Sequence, residues 1–252
     1  MTELSSTCEA IMQTPSEERL VALLDQWSLQ WTWRGRQRAI GAGAYERYCT
    51  LGLYAFGGNA PNVSKASSMK EACIAVNRFM RHRFPHGTWT SIAVLLNPRI
   101  GLHRDMQNMV GKLNHAITLG TFNGGRVWIE DEEGTSIETT TKNGKVRELK
   151  GTWIDIHDKP MSFNARRFHK IEPHEGQMWA LAAYTPQSFE RCSDEVRSKL
   201  NELEFPCPDE VSHSKQNQSS MQASQFKRHA RPQTQIPYHH KHEPDSIIHA
   251  TR

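Results

Sequence analysis

No run of apolar residues approaches the roughly 20 needed to cross a bilayer as a helix, so a membrane span is not what organises this chain and no membrane partner is expected. The first residues, Met1-Thr2-Glu3-Leu4-Ser5-Ser6, lack the basic and apolar regions of a secretory leader. They predict a soluble intracellular protein. Lys227-Arg228-His229-Ala230-Arg231 is too sparse for an import signal, so nucleus and cytoplasm both stay open. Cysteine is scarce and scattered: Cys8, Cys49, Cys73, Cys192 and Cys207 are odd in number and contain no C-x-x-C pair. That excludes a disulfide framework and a structural zinc knuckle, and predicts reduced thiols. The H-E-x-x-H helix of zinc proteases is missing, as is any local signature of a Ser or Cys nucleophile.

A charge excess is missing from the body of the chain as well. Of 31 Lys and Arg and 27 Asp and Glu, six basic and two acidic residues lie from Ser212 onward, leaving 25 of each before it. The net charge of +4 therefore belongs to the tail, and composition alone gives the body no nucleic-acid footprint.

What is present reads as three stretches: a helical preface over residues 1–45, a strand-rich domain over 46–205, and a polar tail over 206–252. The 37% of hydrophobic residues suffice for one core. Pro15-Ser16-Glu17-Glu18 marks a helix start, followed by Leu20, Leu23, Leu24 and Trp27 at helical spacing. Trp27, Trp31 and Trp33 run into Arg34, Arg36 and Arg38. Such a mixture suits either aromatic packing beside solvated arginines or stacking on a nucleic acid, and packing is the favoured reading.

Residues 45–56 have strand composition and end at Gly57-Gly58-Asn59. Ser67 or Ser68 is expected to cap a helix with Glu71 in a capping box, and Ala72, Ala75, Val76, Phe79 and Met80 form its apolar face. Short strands follow: 89–96, 116–120, 126–130, 152–156, 161–163 and 178–184. Asn123-Gly124-Gly125 predicts a hairpin between the second and third of these, and Asn143-Gly144 a second, exposed one within 131–150. Residues 188–205 predict a closing amphipathic helix carrying Phe189, Val196, Leu200 and Leu203. Past Phe205 the chain turns rich in Gln, Ser, His and Pro and is expected to be disordered. Many short strands preceded by helices predict a mainly β, α+β fold: a double-stranded β-helix, or jelly roll, with helical buttresses.

The chemistry is concentrated in Leu102-His103-Arg104-Asp105 and Phe168-His169-Lys170. On extended backbone alternate side chains share a face, so His103 and Asp105 point one way and Arg104 the other. With His169 from a spatially adjacent strand, two imidazoles and one carboxylate make a facial set for Fe(II), leaving coordination positions open. Zinc is the alternative occupant of the same donors.

Several segments together resemble the iron(II)/2-oxoglutarate-dependent dioxygenase superfamily. They are Thr90-Ser91-Ile92, the His103 segment with Asn108 after it, Leu119-Gly120-Thr121-Phe122-Asn123-Gly124-Gly125-Arg126-Val127-Trp128-Ile129-Glu130, and Phe168-His169-Lys170 with Pro173, Gly176 and Tyr184. The similarity spans residues 51–185 and is nearest to versions abundant in protist genomes near mobile elements, more distantly to TET/JBP and AlkB types. It implies His103, Asp105 and His169 as iron ligands, and 2-oxoglutarate and O2 as co-substrates. It also implies oxidative decarboxylation coupled to hydroxylation of a C–H bond, with a nucleic acid slightly ahead of a protein as substrate.

One position departs from that pattern. Where such proteins carry an Arg or Lys for the far carboxylate of 2-oxoglutarate, this chain has Met178, beside Gln177. Gln177, Met178 and Asn108 are the positions expected to face the co-substrate. Arg99, Arg126, Arg166, Arg167 and Lys170 are further candidates for the missing charge, and Asn97 and Asn114 also fall near the triad. Met178 keeps open the reading that the chain is a degenerate relative acting as a binding or scaffolding module.

Overall fold

The computed structural model describes residues 3–31, 43–55, 59–142 and 144–209, which lie in one compact unit, Met1–Asp209. Two helices open it, α1 (Glu3–Gln13) and α2 (Glu17–Ser28). Ser16 caps α2 as its spacing predicts, its hydroxyl accepting from the Arg19 N–H. The Arg19 guanidinium in turn donates to the carbonyls of Ala10 and Thr14 at 3.0 and 2.8 Å, tying α2 to the end of α1. Then come β1 (Arg47–Tyr54), the short β2 (Asn62–Val63), a 3₁₀ turn at Lys65–Ser68 and α3 (Lys70–Arg83).

The remainder is β3 (Ser91–Leu96), β4 (Asn114–Gly124), β5 (Val127–Glu130), β6 (Ser136–Lys142), β7 (Lys145–Ile154), β8 (Met161–Phe163), β9 (His169–Ile171), β10 (His174–Tyr184), a 3₁₀ turn at Gln187–Arg191 and α4 (Asp194–Glu202).

The strands form two antiparallel sheets, ordered β2-β1-β3-β10-β4-β8 and β6-β7-β5-β9, the second extended past β9 by a single bridge between His103 and His169. From β3 onward the chain passes back and forth between the sheets: β3, β4, β8 and β10 in the larger, the His103 segment, β5, β7 and β9 in the smaller. This interleaving is a double-stranded β-helix, the jelly roll expected from the strand pattern.

Both faces of the larger sheet are covered. Ile92, Val94, Leu96, Ile117, Leu119, Trp179, Leu181 and Ala183 point outward into one core shared with Ile11, Leu20, Leu24, Trp27, Val76, Phe79 and Leu200 of the helices. The alternate residues Ala93, Leu95, Ala116, Met178 and Ala180 point inward, toward the smaller sheet. Two buried faces explain why β3 and β10 read as nearly unbroken apolar runs.

Four local expectations give way to tertiary context. Asn123-Gly124-Gly125 does not close a hairpin: β4 pairs with β10 as far as Gly124 opposite His174, whereas β5 pairs with β7 and β9. The two glycines, at φ +82° and +72°, turn the chain from one sheet to the other, and a Cβ on Gly124 would lie 2.5 Å from the Pro173 carbonyl. Neither Ser67 nor Ser68 caps α3, whose N-cap is Met69 without a side-chain bond. The Ser67 hydroxyl is taken by the Gly52 N–H at 2.7 Å. The closing helix is split, because Cys192 is extended and Ser193 starts a new helix by accepting from Val196 N–H. Finally, His103 sits in a one-residue bridge and not in a strand.

The exposed hairpin within 131–150 forms as expected, β6 pairing with β7 from Ser136 to Lys145; Asn143 lies outside the described residues. Gly57 and Gly58, Trp33 with Arg34, Arg36 and Arg38, and the tail from Glu210 onward also lie outside them. Before that tail the chain remains packed past Phe205, where Trp89 N–H donates to the Pro206 carbonyl at 3.0 Å. Trp27 is buried, and Trp31 stands edge-on between it and Trp179, so these two tryptophans are packing residues. All five cysteines are unpaired.

Candidate metal centre

The site is assembled where the smaller sheet ends. His103 N–H donates to the His169 carbonyl at 3.0 Å and His169 N–H to the His103 carbonyl at 2.9 Å, which fixes the two rings with centroids 4.2 Å apart. Asp105 N–H donates to Ala165 O at 2.9 Å. As the alternation of extended backbone requires, Arg104 is turned away, its guanidinium 4.5 Å over the Phe168 ring. The ligand atoms offered by His103, Asp105 and His169 all lie within 4.8 Å of one another, and His103 Nε2 is 3.9 Å from Asp105 Oδ1. Adjacent ligands of a small octahedral ion at ~2.1 Å are separated by about 3 Å. A bound ion would therefore draw the side chains together.

Each imidazole has one nitrogen committed. His103 Nδ1 lies 2.8 Å from the Gly101 carbonyl and His169 Nδ1 3.0 Å from the Arg167 carbonyl, each acceptor two residues back along its own chain. With Nδ1–H donating, both Nε2 lone pairs are free for a metal. The Phe163 ring meets His169 edge-on at 5.1 Å, closing its apolar side. Burial, with His103 beside it, pushes the His169 imidazole down to about 4, so it is neutral at physiological pH as a ligand must be.

That burial sets a pH dependence in the metal-free protein. The unfolded chain takes up a proton near the ordinary value of 6.5, the folded one only near 4. Stability is therefore complete above 6.5 and declines as pH falls toward 4, by at most about 1.4 kcal/mol per pH unit from this group. Urea midpoints measured at pH 7, 6 and 5 should fall in that order, and His169→Gln should flatten the decline. An equal decline in the variant would assign it to other groups, such as His115, which burial also holds low.

The carboxylate ligand is positioned by residues the sequence does not single out for that task. Asn108 Nδ2 donates to Asn114 Oδ1 at 2.9 Å and lies 3.5 Å from Asp105 Oδ2. Arg166 Nη1 donates to the carbonyls of Met106 and Asn108 at 2.6 and 3.0 Å, and Gln187 Nε2 reaches the same two oxygens at 3.3 and 3.4 Å. The loop that follows Asp105 is thus pinned from two elements far away in sequence. No sequence signal marks Arg166 or Gln187 for this.

Of the positions expected to face a co-substrate, Asn108 reaches the triad and Met178 faces the barrel interior, fully buried. Gln177 does not: its side chain turns to the helical side, donating to Asp25 Oδ1 at 2.6 Å, because neighbours on a strand point to opposite faces. The candidate cations are engaged elsewhere or exposed. Arg126 pairs with Glu172 and Lys170 with Glu138, both at 2.6 Å; Arg167 donates to the Glu130 carbonyl; Arg99 is exposed. Asn97 serves the backbone, its Oδ1 accepting from Met178 N–H at 2.8 Å.

Asn108 also lines a cleft of about 580 Å³, walled by Tyr54, Gln107, Tyr184, Gln187 and Ser188 with Glu190 and Arg191; none of the three triad residues lines it. The donor chemistry of the triad fits a divalent first-row metal. The buried Met178 gives a far carboxylate of 2-oxoglutarate no cation.

No family model matches the chain, and no curated protein matches it. Among solved structures it is similar to an oxidoreductase of the 2OG-Fe(II) oxygenase family from Burkholderia pseudomallei, at 12% identity over 73% of this chain and 90% of that one, with a TM-score of 0.41. It is also similar to NgTET1 in complex with 5mC DNA, at 10% identity over 72% of this chain and 76% of that one, with a TM-score of 0.35. Both likenesses are too distant to bear on activity or substrate.

Proposed function

We propose that this chain is an Fe(II)-dependent oxygenase that couples decarboxylation of a 2-oxo acid, 2-oxoglutarate on the resemblance, to hydroxylation of a C–H bond in a macromolecule. The observation that carries this reading is the convergence of His103, Asp105 and His169 at one end of a jelly roll, with both Nδ1 atoms tied to backbone carbonyls. When bound, iron supplies the O2 chemistry that no side chain can. The chain contributes the rest. His103 and His169 present Nε2 in fixed orientation, and Asn108, Arg166 and Gln187 hold the Asp105 loop. Val127, Ile129, Ile156 and Phe163 keep the interior behind the triad apolar.

A nucleic acid is proposed ahead of a protein as the substrate. The basic excess of the tail favours a phosphate backbone, and the exposed Gln107 side chain in the cleft carries the donor and acceptor that a base edge takes. Met178 is the observation that favours the second reading, a protein that keeps barrel and metal as a binding module.

Two measurements test the proposal. Iron-loaded protein given a 2-oxo acid and O2 should release CO2, whereas His169→Ala should not; equal release from both would sink it. Single- and double-stranded DNA and RNA should bind with affinity that falls linearly in log–log plots against salt. Absent or salt-independent binding would move the substrate to protein.

A further inference from the structure

We propose that the interior between the triad and Met178 accepts a 2-oxo acid whose tail is uncharged and mainly apolar, in place of a dicarboxylate. This rests on the proposed function and names its co-substrate class. On β9, His169 and Ile171 share a face and lie about 7 Å apart along the strand. Ile171 packs against the cluster formed by Met178, Ala180, Leu95 and Tyr48. A small acid chelated at the triad and directed inward therefore brings its fourth or fifth carbon to that cluster. Room exists on the way: Ala93 and Ala182 are paired at the centre of the larger sheet, on the same inner face as Leu95 and Ala180, yet remain partly exposed.

The far end is built for something neutral. Met178 is fully buried among apolar groups, with Ile100 and Phe122 against the same cluster. The Tyr48 and Thr50 hydroxyls are bonded to each other at 2.7 Å. Thr118, directly opposite Ala180 on the inner face, has a buried hydroxyl with no partner among the described residues. One neutral donor waits there for a ligand atom. Arg126, Arg166 and Lys170 are committed to Glu172, to backbone carbonyls and to Glu138. A second carboxylate at this depth would be desolvated with no cation beside it among the described residues.

The reaction places no demand on the tail. The 2-oxo acid loses its carboxyl as CO2, its keto carbon takes one atom of O2 to become the new carboxylate, and the other atom enters the substrate C–H as hydroxyl.

The test uses the full chain, loaded anaerobically with Fe(II) and checked for iron by calorimetry. It is then titrated with 4-methyl-2-oxopentanoate or 2-oxoglutarate while the visible absorption of the chelate is followed. The branched acid should bind at least about 10-fold more tightly than 2-oxoglutarate, a difference that one unpaired carboxylate readily supplies. Met178→Arg should reverse the order. Should Met178→Arg fail to fold, the comparison in the unaltered chain still decides. Wild-type binding of 2-oxoglutarate as tight as that of the branched acid overturns the inference and leaves the oxygenase reading standing, as does iron that binds neither acid but chelates another. Failure of iron itself to bind overturns the proposed function, and this inference with it.

Discussion

His169→Ala should lower the affinity for Fe(II) by more than about 100-fold, a loss beyond the 10- to 100-fold typical of residues that merely support a ligand. The expectation follows from geometry. His169 carries one of three donor atoms, its Nδ1 is spent on Arg167 O, and the backbone bridge that aligns it with His103 survives the substitution. The alanine removes a donor without dismantling the scaffold. Its structural cost is the small cavity left beside Phe163, and circular dichroism should show an unchanged fold. Asn108→Ala supplies the graded comparison. Asn108 steadies Asp105 without being a donor in the set, so its loss should cost about 10-fold. Equal iron affinity in His169→Ala and the unaltered chain, measured by anaerobic calorimetry, would remove the triad from consideration as a metal centre.

Trp179→Ala should destabilise the fold by about 4 kcal/mol while leaving iron binding by the folded fraction intact. Trp179 is fully buried on the outer face of β10, its ring edge-on to Trp31 at 6.0 Å and its Nε1 donating to Asp25 Oδ1 at 2.9 Å. Truncation leaves a large cavity between α2 and the sheet. Total stabilities are of order 5–15 kcal/mol, so the loss is a large share of the whole. Trp179→Phe keeps most of the bulk but not the N–H, and should cost about 1–2 kcal/mol. Urea denaturation reads both. A loss under about 1 kcal/mol for the alanine variant would mean that the helices are not packed on β10 as described. Residues 178 and 179 face opposite sides of β10, so Trp179→Ala tests the packing of the helices on the sheet and Met178→Arg the barrel interior.

Glu17 shows how the helical preface and the barrel are joined: its Oε1 accepts from Gly120 N–H at 2.7 Å and lies 3.1 Å from His157 Nε2. Nothing local to the Pro15-Ser16-Glu17 cap indicates that contact. The cap itself follows from the order of residues, because a hydroxyl and the first free N–H groups of a helix are neighbours along the chain. The pairing with Gly120 depends on the path of the whole chain.

The same division runs through the molecule. By itself the sequence determined whatever depends on neighbours: the α2 start, the apolar faces of α2 and α3, the succession of short strands that makes a jelly roll, and the shared direction of His103 and Asp105 through the two-residue period of extended backbone. Tertiary structure alone decided which partners distant segments meet. The Asn-Gly-Gly stretch became a passage between sheets, since both edges of β4 are taken by β10 and β8 and both edges of β5 by β7 and β9. Ser67 gave its hydroxyl to Gly52. Arg166 went to the carbonyls behind Asp105 because the barrel closes those segments onto one another. A backbone period specifies a direction over a few residues, whereas the identity of what lies in that direction is set by packing across the whole core.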